Sequence, residues 1–419
     1  MLGKRRFLVL LLMSIVIFGI SVISLSEEIT LEFQQWWEPE LPEGVLREIC
    51  DEFTAKTGIN VELISNPYAD TKVQIAAGAA TGMMPDVVGL DGSWVYDFAK
   101  QGAIANLSEL MVSSGYDDSQ LSLQVQVEGN TYMIAVVNFA YPMYVNKDIL
   151  KNAGIVEFPT TWSEFKSVAQ KVTDPTSNIY AYALPLSSAL PNGIQNQFMS
   201  WLWASGGKML EDGKPNLIGN EKLIQGIELM KWLFEEELVT PGTYTMREPD
   251  MVEEFVNGRV AFMISSLAHL TLIKEGAPNM DVAITSIPKM DGYTGKSGIC
   301  VANWGIGIAS NSKHKEEAWR FIEYLMSPEV NAKLAVYANG FPGNTASEPD
   351  YSKKDKLFVD AYEIYQESYA INEFIGLPRS EDLMRIFLEN FVLYLEGEFD
   401  SAETMLEEIQ KEWLRIFGD

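Results

Sequence analysis

The chain has 419 residues, 47% of them hydrophobic and 21% charged, a globular composition too long for one core and suited to two lobes. Its 31 basic and 58 acidic side chains leave a formal charge of −27. That charge repels nucleic acid and anionic lipid and favours a dispersed monomer. Cys50 and Cys300 are the only cysteines; they imply no disulfide framework or metal cluster and are expected as two packed thiols.

Residues 1–26 read as a secretory signal peptide, with Lys4, Arg5 and Arg6 ahead of an apolar run from Phe7 to Ile23, then Ser24 and Ser26. An uncleaved anchor is the alternative. No cysteine stands at the junction for a lipid tether, so the mature chain is expected free in an extracytoplasmic space. Ile29 to Gln35 alternates as a strand, and Val45, Leu46, Ile49, Cys50 and Phe53 then mark a helix closed by Thr57-Gly58. A strand at Ile59 to Ile64, a helix from Tyr68 to Ala80, a strand at Val87 to Leu90 and a helix from Ser93 to Gln101 continue a β-α alternation. This order predicts a mostly parallel sheet covered by helices.

From Tyr132 to Lys147 the chain is almost continuously apolar around Pro142, as expected of a segment passing from one lobe to the other. Helices are predicted at Trp162–Lys171, Gln195–Ser205, Glu221–Glu237, Met251–Asn257 and Lys315–Met326. Strands are predicted at Val260–Ser265, Val282–Ile287 and Trp304–Ala309, and the last hundred residues read as helical.

Catalytic patterns are missing. His269 and His314, the only histidines, lack zinc spacing, and no Gly-x-Ser-x-Gly elbow occurs. Gly292 to Ser297 ends like a P-loop, but Met290 stands where its first glycine belongs; Gly305-Ile-Gly307 lacks the third glycine of a dinucleotide fingerprint. Adjacent glutamates such as Glu235-Glu236-Glu237 read as solvated helix faces. No catalytic residue, cofactor or metal is expected.

What the sequence offers is aromatic residues at strand ends. Trp36 and Trp37 follow the first strand and Gln35; Asp91 and Trp94 follow the third. Asn138, Phe139 and Tyr141 lie in the crossover, Trp201 and Trp203 precede Gly206-Gly207, and Asn303 precedes Trp304. Ligands of open α/β sheets sit beyond the carboxyl ends of strands. There a flat aromatic face suits the C–H face of a sugar ring, and amides or carboxylates suit its hydroxyls. Core packing is the alternative for any one tryptophan. Lysine and arginine are scarce near these positions, which points to a neutral ligand; Arg379 is the exception, with a surface ion pair as its alternative.

Several segments resemble the family 1 extracellular solute-binding proteins of ABC transporters. They are Phe53-Thr-Ala-Lys-Thr-Gly58-Ile-Asn-Val61, Pro85-Asp86-Val-Val with Ala99-Lys-Gln-Gly102, Tyr144-Val-Asn146-Lys147-Asp with Pro159-Thr-Thr-Trp162, Trp203-Ala-Ser-Gly206-Gly207, Phe255-Val-Asn-Gly258 and Ala318-Trp319-Arg-Phe321. The resemblance implies an α/β, periplasmic-binding-protein-like fold: two lobes joined by a hinge of several strand crossings, closing on ligand like a flytrap. It implies lobe 1 from 27–138 plus 285–328, lobe 2 from 139–284 plus 329–419, and delivery of a captured carbohydrate to membrane permease subunits. By position it makes Asp91 the first-lobe carboxylate that bonds sugar hydroxyls, puts Gln35 to Trp37 on the first-strand loop that lines the cleft, and puts Asn138 and Phe139 at the first crossing. Asn196, with Gln195, falls at second-lobe contacts, and Ser265 and His269 follow the Phe262 strand. Ala268 stands where the family's maltose-stacking tryptophan falls, which points to a different sugar or a cyclic polyol. The alternatives are a secreted carbohydrate-active enzyme and a binder of an acidic sugar or polyol phosphate.

Overall fold

The computed structural model describes residues 28–418; the expected signal peptide lies outside them. Among these residues no helix is long and apolar enough to cross a membrane. The chain opens with β1 (Thr30–Gln35), β2 (Asn60–Ser65) and β3 (Val87–Leu90), and β1 pairs in parallel with both others. The helix Val45–Thr57 between β1 and β2 buries Val45, Leu46, Ile49, Cys50 and Phe53, the stripe read from the sequence. It stops at Gly58, whose φ of 74° suits a residue without a side chain.

A hairpin of β4 (Gln124–Val127) and β5 (Asn130–Ala140) follows, turning through Glu128 and Gly129, both at positive φ. The strand β4 is absent from the sequence reading. After Tyr141-Pro142 the chain enters β6 (Met143–Asn146), the first strand of a second sheet completed by β7 (Tyr180–Tyr182), β10 (Val260–Ile264) and β11 (Val282–Thr285), ordered β11-β6-β10-β7. A small hairpin, β8 (Leu210–Glu211) and β9 (Lys214–Pro215), stands apart. The chain returns through β12 (Gly298–Ile308), which runs antiparallel to both β3 and β5 in the first sheet. It crosses a third time after β13 (Phe341–Pro342), reaching β14 (Tyr369–Ile371), which pairs with the first residues of β12. The two lobes are thus joined where β5, β12 and β14 lie side by side.

Each lobe has its own core. Phe321 sits between Phe33 and Phe53 in the first, at ring separations of 5.5 and 5.1 Å, and burying one such ring stabilises by about 1.5–3 kcal/mol. Phe165, Trp201, Phe262, Phe387 and Trp413 build the second. Cys50 and Cys300 are buried free thiols in separate cores. The helix Pro328–Tyr337 packs Val330 and Leu334 on the first core, so the last crossing comes later than the expected boundary at residue 328. That helix is fixed by Asn331, whose amide donates to Val136 O at 2.9 Å and accepts from Asn344 N at 2.9 Å. Gly343 then passes so close to β5 that an added Cβ would lie 1.9 Å from Ala135 O.

Because Asn331 is fully buried, Asn331→Ala strands backbone groups of β5 and the crossing. We expect a loss of about 2–4 kcal/mol in urea unfolding; a loss below about 0.5 kcal/mol would contradict this role.

Candidate ligand-binding cleft

The first-lobe wall is built where β1 and β3 end. Gln35 is buried and organises the turn: its carbonyl accepts from Glu38 N at 2.9 Å and its amide donates to Ser65 Oγ at 2.6 Å. This turn sets two tryptophans in opposite roles. Trp37 stacks on Trp304 at 5.4 Å with planes 8° apart. Trp36 meets Tyr68 edge-on at 5.2 Å and Trp94 at 5.6 Å, while Tyr68 and Trp94 are 5.0 Å apart. Trp36, Tyr68 and Trp94 therefore form one aromatic cluster. Asp91 stands beside it, accepting from Tyr68 OH at 3.1 Å and from Ser93 Oγ at 2.6 Å and Ser93 N at 2.8 Å.

The second lobe meets this wall directly. Asn192 donates to Tyr68 OH at 3.0 Å, and Lys72 pairs with Glu381 while its ammonium lies 5.9 Å from the Trp94 ring centroid. Asn192 is presented by a Pro191-Asn192-Gly193 turn, in which any Cβ on Gly193 would collide with Pro185 O. A π-helical turn, Ile194–Phe198, follows with every residue buried; such turns recur at functional sites. From it Asn196 donates to Tyr141 OH at 3.2 Å.

Six buried polar atoms on these described elements lack a partner: Trp37 Nε1 and Trp94 Nε1 from the first lobe, and Asn192 Oδ1, Gln195 Oε1, Gln197 Oε1 and Glu381 Oε1 from the second. Buried polar groups are normally paired, because leaving one unpaired costs about 1–3 kcal/mol. Of these, one donor, Trp94 Nε1, and two acceptors, Asn192 Oδ1 and Glu381 Oε1, belong to residues beside the aromatic cluster and match the demands of a hydroxyl-rich ligand.

The remaining expected residues separate. In β5 and β12, Asn303 pairs with Asn138, and Ala302 with Phe139. Successive strand residues point to opposite faces, so Phe139 and Trp304, 5.0 Å apart, share the Trp37 side while Asn138 and Asn303 occupy the other. Asn138 and Asn303 line a separate cavity. Trp201 lies fully buried in the second core, against Phe165 at 4.6 Å and donating to Tyr182 OH at 3.1 Å. Arg379 is half exposed and paired with Asp382 at 2.8 Å. Ser265 Oγ lies 3.0 Å from His269 Nδ1, and Glu248 lies 3.6 Å from that same nitrogen. A charge relay needs acid and hydroxyl on different ring nitrogens, so this cluster does not form one.

The residues that sequence reasoning did not single out are Tyr68, Asn192, Glu381, Glu40 and Glu248. The Pro-Asn-Gly turn and the Trp36-Trp37-Glu38-Pro-Glu40 run were the legible signals for two of them.

Burial pushes the Glu40 carboxyl up to about 8, against a 3.1 Å hydrogen bond from Trp304 Nε1 and with repulsion from Glu248. Burial also raises Asp91, opposed by its bonds from Ser93. Glu40 holds its proton more tightly folded than unfolded. Its contribution to stability is therefore complete below about pH 4.5 and is lost as pH rises to about 8. Glu40→Gln should flatten the decline of the urea midpoint across that window; an unchanged slope would contradict the assignment.

Three comparisons bear on this geometry. The sequence profile described as bacterial extracellular solute-binding protein matches residues 38–332. A binding protein of Brucella abortus is 25% identical over 322 residues, covering 72% of this chain and 76% of that protein. Among solved structures, an ABC transporter solute-binding protein from Thermotoga lettingae TMO, bound with α-D-tagatose, superposes with a TM-score of 0.78 at 23% identity, over 93% of this chain and 100% of that one. The ABC substrate-binding protein of Listeria monocytogenes in complex with cycloalternan superposes at 0.76 with 16% identity, over 94% and 100%. With the profile covering most of its length, the chain belongs to the bacterial extracellular solute-binding protein family.

Proposed function

We infer that this protein captures a neutral sugar, oligosaccharide or cyclic polyol between its lobes and delivers it to the permease of an ABC transporter. The observation that carries the reading is the set of unpartnered buried atoms Trp94 Nε1, Asn192 Oδ1 and Glu381 Oε1, on residues tied to the Trp36, Tyr68 and Trp94 cluster. Hydroxyls can donate and accept at once, so a sugar satisfies both kinds of orphan while its C–H face covers the rings. The relatives bound with tagatose and cycloalternan support carbohydrate as the class and span a wide range of sizes.

Charge argues for neutrality. Glu381 acts on Asp91 and Glu248 on the buried Tyr141 hydroxyl, Lys72 is taken by Glu381, and Arg379 by Asp382. An acidic sugar or a phosphate would meet the Glu381 and Glu248 carboxylates, while Lys72 and Arg379 are already paired. Binding needs no covalent step, and the protein acts without catalysis. It works after export directed by residues 1–26, as a monomer, by ligand-driven closure of the two lobes.

Purified protein should show quenched tryptophan fluorescence and a raised melting temperature with a neutral sugar, and neither with phosphate or amino acids. A flat response across a broad sugar panel would overturn the reading, and catalytic release of new reducing ends would replace it with an enzyme. Trp94→Ala should weaken sugar binding by about 2 kcal/mol, roughly thirtyfold in Kd. Trp201→Phe, in the second core, should lower stability and leave Kd unchanged; the reverse pattern would put the site elsewhere.

A further inference from the structure

On the face of the hinge sheet opposite Phe139 and Trp304 lies a cavity of about 490 Å³, bordered by β4, β5, β12 and the segment from Tyr365 to Gly376. This size falls in the range of small-molecule sites, roughly 300–1,000 Å³. Of its 14 lining residues none is charged, in a chain carrying 89 charged side chains. Instead it gathers five carboxamides: Gln124, Gln126, Asn138, Asn303 and Asn372.

These amides are held by one another and by their surroundings. Asn138 donates to Ser122 Oγ at 2.9 Å and to Pro342 O at 3.2 Å, and accepts from Asn303 Nδ2 at 2.6 Å. Gln124 accepts from Thr131 Oγ1 at 2.6 Å, and Asn372 donates to Val301 O at 3.1 Å. One atom is left over. Asn303 Oδ1 has no partner although Asn303 is only 5% exposed. A preset frame of neutral amides suits hydroxyls, which donate and accept, while Val301, Ile371 and Ile375 supply an apolar side.

We propose that this hinge cavity is a second binding site, distinct from the cleft, for a small neutral hydroxylated molecule of polyol or monosaccharide size, held by the carboxamides of its lining, Asn303 among them. Its walls include all three strands that join the lobes. A molecule lodged there favours the present lobe arrangement, in which Asn192 bonds Tyr68 and Gly376 N bonds Gly92 O at 3.0 Å across the lobes. By linkage it tightens the cleft for its own ligand, and the cleft ligand tightens the cavity in return.

Ribitol and glucose titrations by calorimetry and saturation-transfer NMR test this on wild type and three variants of the full chain. The expected result is polyol or sugar binding that survives Trp94→Ala, weakens about tenfold in Asn303→Ala and disappears in Gln126→Trp, which places an indole in the cavity from an exposed strand position. Circular dichroism reports whether each variant folds; if Asn303→Ala does not, Gln126→Trp decides. The proposal is overturned if wild type binds neither probe, if Trp94→Ala abolishes all binding, or if Gln126→Trp binds as wild type does.

Discussion

The antiparallel pairing of β5 with β12 is the constraint on which the rest depends. β5 passes from the first lobe into the second and β12 passes back, so their ladder belongs to both lobes and fixes which side chains share each face of the hinge. Its period of two puts Phe139 and Trp304 on one face and Asn138 and Asn303 on the other. The stack of Trp304 on Trp37 ties the ladder to the end of β1, so the first-lobe wall and the hinge move as one unit. The irregularity between Trp304 and Gly305 comes where the strand leaves the hinge for the interior of the first sheet.

The cleft chemistry follows from what that geometry buries. Aromatic rings remove water from the gap, and in a dry gap each polar contact between lobes counts for more than it would in water. Asn192 to Tyr68 and Lys72 to Glu381 are such contacts, and on the proposed function the unpartnered atoms beside them are a cost that a ligand would relieve. Occupation of the gap then shifts the population toward closure, because the ligand's differential contacts exist only when both lobes touch it. Raised carboxyl groups at Glu40 and Asp91 belong to the same balance, since burial in an acidic gap penalises their charged forms.

Much of this was legible in the sequence because it depends on local pattern. The stripe from Val45 to Phe53, the β-α alternation and the long apolar passage around Pro142 all follow from periodicity, which survives without knowledge of partners. Side-chain direction at the hinge did not. Asn138 and Phe139 are neighbours in sequence, and only the register with β12 shows that they serve opposite faces. Trp201 is an equally instructive case: its helix starts directly after the π turn, yet its ring packs against Phe165 and Tyr182. Tyr68, Asn192 and Glu381 come from three distant parts of the chain and meet only through tertiary packing. Short β4 and β14 carry too few residues for an alternation to stand out.

A crystal structure of the protein grown with a saturating neutral sugar that raises its melting temperature tests the central claim most directly. One sugar ring should cover Trp36, Tyr68 or Trp94, with hydroxyls on Trp94 Nε1 and on at least one of Asn192, Gln195 and Glu381. Sugar density confined to the outer surface of a single lobe, with those atoms still unpartnered, would contradict it.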